Sequence, residues 1–147
     1  MKIFIGSDHA GFELKVKLIP FLKELGHEVI DKGAFQYNKD DDYPDFVIPV
    51  AQEISTDPEA MGIVLGGSGE GEAMATDRFP NVRTALWYGG SRGPLRLSRE
   101  HNDANILSIG ARFVTEKETL EAVKEWLETP FSEAERHKRR IGKIDNQ

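Results

Sequence analysis

The stretch Met61-Gly62-Ile63-Val64-Leu65-Gly66-Gly67-Ser68-Gly69-Glu70-Gly71-Glu72 runs from apolar residues into a glycine-rich segment that ends on an acid. A short apolar run bounded by glycine reads as a buried strand, and Glu72 to Arg78 reads as the opening of a helix. The pattern repeats on either side. Lys2 to Gly6, Glu28 to Asp31, Thr84 to Trp87 and Ile106 to Ile109 read as further strands. Helical spacing runs from Phe12 to Leu25, with Gly26 as its stop and Pro20 expected to bend or divide it. Pro44 can open a second helix that ends near Ser55, and Ser91–Asn102 and Thr115–Leu127 read as later ones. Five strands alternating with helices predict a parallel sheet covered on both faces, because right-handed crossovers place helices on either side.

The bulk properties bound the function. A chain of 147 residues fits one domain, 1–147, and a domain of that size buries about 70% of the surface its unfolded chain exposes. The hydrophobic fraction of 39% beside 30% charged residues excludes disorder. No cysteine is present, so disulfides, thiolate metal sites and cysteine nucleophiles are excluded. A formal charge of −6 disfavours nucleic acid as a partner. The apolar start, Ile3 to Ile5, is too short for a secretory signal, and no stretch approaches a membrane helix. A cytoplasmic location is expected, without membrane association.

In an open parallel sheet the ligand crevice lies beyond the carboxyl ends of the strands. The loops after the first and third strands are Ser7-Asp8-His9-Ala10-Gly11 and Gly66 to Glu72. The glycines let backbone approach a ligand, and the helix start offers N–H groups to an anion, so phosphate or an oxyanion is favoured. Neither a GK[ST] ending nor GxGxxG is present, so neither ATP nor NAD is supported. A helix dipole would hold Glu72 ionised and able to act as a base, but Glu70 shares the neighbourhood and spacing does not choose between them. Asp8 and His9 pair an acid with a proton shuttle, although Asp8 also suits a helix N-cap. Gly33 to Asp45, with Asp40, Asp41 and Asp42, reads as a solvated loop, and His27 as structural. Arg99 to Asn105 concentrates polar groups before the fifth strand. In the charged tail, about 132–147, Arg136 and Arg140 share a helix face suited to gripping phosphate.

SDHAGFELK, DDDYPDF, GIVLGGSGEGE, REHNDAN and RHKRR together resemble the type B ribose-5-phosphate isomerase family, nearly end to end. That family also holds galactose 6-phosphate and allose 6-phosphate isomerases. The resemblance implies a Rossmann-like, doubly wound five-stranded parallel sheet in three αβα layers, and a homodimer, or a tetramer, whose sites are shared between subunits. Many members carry a cysteine base directly after the third strand; this chain has Gly66 there and resembles the branch with a glutamate ending GGSGxGE, which gives the role to Glu72. Asp8 and His101 would then act in ring opening, assisted by Asn102. Ser68 and the amides around Gly67, Gly69 and Gly71 would hold an enediolate. His9, Arg112, Arg136 and Arg140 would bind phosphate, and Tyr43 would line the pocket. No metal or organic cofactor is implied. One departure is visible: WYGGSRGPLRLSREH runs two residues longer than the family pattern before the histidine. The implied activity is interconversion of ribose 5-phosphate and ribulose 5-phosphate. Its rivals are an isomerase of a six-carbon sugar phosphate and a non-catalytic module binding a sugar phosphate or nucleotide.

Overall fold

Five parallel strands form one sheet in the order β2-β1-β3-β5-β4; the computed structural model describes all residues, 1–147. The strands are β1 (Lys2–Ser7), β2 (Glu28–Asp31), β3 (Met61–Gly66), β4 (Thr84–Trp87) and β5 (Ile106–Gly110). The helices are α1 (Phe12–Glu24), α2 (Pro44–Thr56), α3 (Glu70–Thr76), α4 (Gly93–Glu100), α5 (Glu116–Glu128) and α6 (Glu135–Asp145). None is long and apolar enough to cross a membrane.

Side chains on a strand alternate between faces, so each buried strand feeds two cores. Ile3, Ile5, Ile63, Leu65, Leu107 and Ile109 pack with Leu18 and Leu22 of α1, Leu95 of α4 and Trp126 of α5. Phe4, Val64 and Ile106 point the other way, against Val47, Val50, Ala51 and Ile54 of α2. The expected three-layer αβα arrangement follows from these two clusters.

Two local readings change. Pro20 does not divide α1, which runs unbroken for 13 residues. The proline sits on the exposed face, where water can serve the carbonyl left without an N–H donor, while Leu18 and Leu22 hold the helix on the sheet. The helix after the glycine loop starts at Glu70 rather than Glu72 and closes at Thr76. Gly69, at φ +82°, makes the turn into it, a conformation that side chains with a Cβ avoid. The charged tail is mostly helical, as α6. The long segment after β4 is a turn built on Gly89 and Gly90, both with positive φ, ahead of α4.

Candidate active site

The parallel strands sort the expected site residues into two groups at opposite ends of the sheet. Asp8 follows β1, the glycine loop follows β3, and Arg112 lies in a 3₁₀ turn, Ala111–Phe113, directly after β5. His101 and Asn102 come before β5, and Arg83, at the entrance to β4, donates to the carbonyls of Asn102 and Asp103 at 3.1 Å each. Strands of this length separate the two ends by about 15 Å or more.

At the carboxyl end, Glu72 is buried and its carboxyl group lies where a Cβ on residue 66 would stand. Only glycine at 66 leaves it that position. Gly66→Ala is therefore expected to displace the carboxylate and lower kcat by about 100-fold, with circular dichroism unchanged. Burial pushes the Glu72 carboxyl above the usual glutamate range, its own N–H and that of Gly69 pull it back, and the Asp8 charge pushes it up again. Desolvation thus works against the ionised Glu72 expected at a helix start, and it is the largest of these effects. Glu70 is exposed, and its N–H donates to Ser68 Oγ at 3.2 Å.

Asp8 is also buried, and its side chain accepts from the Ala10 N–H at 3.0 Å. It caps the turn at His9–Gly11 and also lies close enough to Glu72 for its charge to act there. Burial raises its carboxyl above the usual range; the His9 charge and the N–H groups of Ala10 and Gly11 oppose this, and Asp41 adds to it. Tyr43 puts its hydroxyl against Gly71, and the Arg112 guanidinium lies over Gly67. The Arg112 N–H also donates to the Gly67 carbonyl at 3.1 Å, which ties the turn after β5 to the glycine loop.

The acidic loop needs a correction. Asp40 is exposed, but Asp41 is not a solvated charge: one of its oxygens accepts from the His9 N–H at 3.0 Å and pairs with His9 Nδ1 at 2.7 Å. Asp8, His9 and Asp41 bring three possible metal-ligating atoms within 4.8 Å of one another. The His9–Asp41 hydrogen bond already engages two of those residues.

At the amino end, the His101 ring stacks on His137 with centroids 4.2 Å apart. His137 is buried, and burial, then the charges of His101, Arg136 and Arg140, push its imidazole below the usual histidine range. The cationic groups Arg136 and Arg140 stand beside this pair, while the neighbouring Lys138 is paired with Glu133 at 3.1 Å. The sequence reading picked the two arginines and passed over His137; its place in α6, one residue after Arg136 and three before Arg140, was the available sign. Arg83 fixes this end, pairing Asp145 of α6 at 2.9 Å while holding the turn after His101.

A model of the Ribose/Galactose Isomerase family matches residues 3–144. Ribose-5-phosphate isomerase B of Mycolicibacterium paratuberculosis is 49% identical over 141 residues, covering 96% of this chain and 87% of that one. The crystal structure of ribose-5-phosphate isomerase B from Mycoplasma genitalium with bound ribulose-5-phosphate superimposes with a TM-score of 0.92 at 38% identity, covering 97% of this chain and 93% of the other. The Clostridium thermocellum ribose-5-phosphate isomerase B superimposes with a TM-score of 0.91 at 44% identity, covering 99% and 95%.

Proposed function

The chain belongs to the Ribose/Galactose Isomerase family, and from that premise we propose that it interconverts ribose 5-phosphate and ribulose 5-phosphate through an enediolate, with Glu72 as the base. One observation carries the choice of base. The Glu72 carboxyl is buried in the crevice and occupies the space of a side chain at position 66, where other branches place a cysteine, whereas Glu70 points to solvent. A carboxyl lifted above its ordinary range is a stronger base once ionised, and so better matched to taking a proton from carbon. Glu72 takes the proton from C2 and returns it to C1. The enediolate charge that forms meets Ser68 and the N–H groups of the glycine loop, and one such donor contributes about 3–4 kcal/mol. Asp8 exchanges hydroxyl protons, Tyr43 lines the pocket, and His9 and Arg112 receive the phosphate.

Ring opening by His101 and Asn102, and the phosphate grip of Arg136 and Arg140, belong to the other end of the sheet. No side chain spans that separation. We infer that these four residues serve the site of a second copy, so that two chains make two complete sites. Arg136 and Arg140 support this, since two cationic groups stand together beside His137 at that end, where an anion brought by a second copy would meet them.

A base that moves a carbon-bound proton leaves a solvent-derived label. In heavy water, recovered ribose 5-phosphate is expected to carry deuterium at C2, and a module that only binds would leave it unlabelled. A panel of five- and six-carbon sugar phosphates compared by kcat/KM then reads the preferred substrate; a galactose or allose 6-phosphate preference would replace the pentose assignment.

A further inference from the structure

His9 and Asp41 are 32 positions apart, yet two hydrogen bonds join them. The His9 N–H donates to Asp41 Oδ1 at 3.0 Å, and the ring's Nδ1 meets the same oxygen at 2.7 Å. The Asp41 side chain is only 8% exposed, and its other oxygen is buried with no hydrogen-bond partner. A carboxylate removed from water is held at one edge of the imidazole. The Tyr37 ring stands edge-on to His9, with centroids 6.3 Å apart, and limits how the imidazole can turn. The turn that presents Asp41 is closed by its own N–H donating to the Asn38 carbonyl at 3.1 Å.

We propose that Asp41 is a positioning residue, which fixes His9 as the Nδ1–H tautomer and turns Nε2 toward the crevice. An ionised carboxylate only accepts hydrogen bonds, so the ring nitrogen beside it must carry the proton. Nε2 is then the sole ring atom free to meet a ligand. When the substrate's phosphate arrives as a monoanion, its O–H is shared with the bare Nε2, which then donates to that phosphate oxygen while Asp41 stabilises the resulting charge. This rests on the reading of His9 as a phosphate contact. It also gives one residue of the acidic loop a task that Asp40, exposed beside it, does not share.

Long-range proton–nitrogen NMR of the labelled full-length protein at alkaline pH reads the tautomer directly, the His9 signals being identified by their loss in His9→Asn. A proton on Nδ1 with Nε2 bare is expected; a bare Nδ1 with the proton on Nε2 would overturn the proposal in the unmodified chain, with no variant required to fold. Kinetics supply the second arm. Asp41→Asn is expected to raise KM for ribose 5-phosphate and the inhibition constant of inorganic phosphate about tenfold, the loss of one charge-assisted contact, with kcat within about twofold. Asp41→Glu should recover part of that loss. On a His9→Asn background Asp41→Asn should cost nothing further. If it costs the same again, Asp41 supports the loop rather than His9. Phosphate inhibition unchanged in His9→Asn would remove the phosphate reading itself and leave the tautomer to decide what Asp41 does. None of these readouts depends on which glutamate is the base.

Discussion

Glu72→Gln is expected to lower kcat by about 10³–10⁴-fold while KM changes little, and Glu70→Gln to stay close to wild type. Glutamine keeps the shape and the acceptor oxygen that meets the N–H groups of Gly69 and residue 72, but it cannot take a proton from carbon, and general bases contribute about 10²–10⁴-fold. Burial separates the two glutamates: Glu72 is 4% exposed, and Glu70 faces water. The same burial has a cost in stability. Because the Glu72 carboxyl is raised from 4.5 by desolvation, the folded chain binds more protons than the unfolded chain as pH climbs from that value. Stability therefore falls as pH rises through the interval between the unfolded and folded positions, then levels off. Glu72→Gln removes this loss, so it should melt above wild type at pH 7, and the difference should close once both states of the wild type are protonated. The acid limb of the wild-type kcat/KM profile should lie above the ordinary glutamate range for the same reason. A dead Glu70→Gln beside an active Glu72→Gln would assign the base to the other carboxylate.

The outline of the fold was legible because the buried strands are short apolar runs fenced by glycine and charge, and Met61 to Leu65 and Ile106 to Ile109 needed no tertiary information. The two-ended division of the site was also latent in the chain order. In a parallel sheet, residues just before a strand and residues just after one lie at opposite ends, so His101 before β5 and Asp8 after β1 were already apart. What local sequence could not show was where a carboxylate ends up once the loops have folded. Asp41 sits among three consecutive aspartates and reads as solvated, yet the turn from Asn38 delivers it to His9. Pro20 reads as a break, yet the helix is held by packing of Leu18 and Leu22 that propensity does not count. The choice between Glu70 and Glu72 likewise turns on which side chain α3 directs toward Gly66, a matter of helix phase. An error of two residues in where that helix starts was enough to hide it.

The division into two ends makes an expectation that no single-chain mechanism shares. If the chain pairs as proposed, dimers of Glu72→Gln and dimers of Arg136→Ala/Arg140→Ala should each be nearly inactive, the first lacking the proposed base and the second the proposed grip on phosphate. If each site takes Glu72 from one chain and the arginines from its partner, a mixed dimer concentrates both defects in one site and leaves the other whole. Random exchange between equal amounts of the two makes about half of the dimers mixed, each with one working site of two, and so restores about a quarter of wild-type activity. Chains of different mass tags, followed by native mass spectrometry, establish that exchange has occurred before turnover is measured. Were the arginines instead to serve the site of their own chain, every site in every dimer would carry one defect. Verified mixed dimers without recovered turnover would then return α6 to its own subunit, and the distance across the sheet would have to be closed by a movement of that helix.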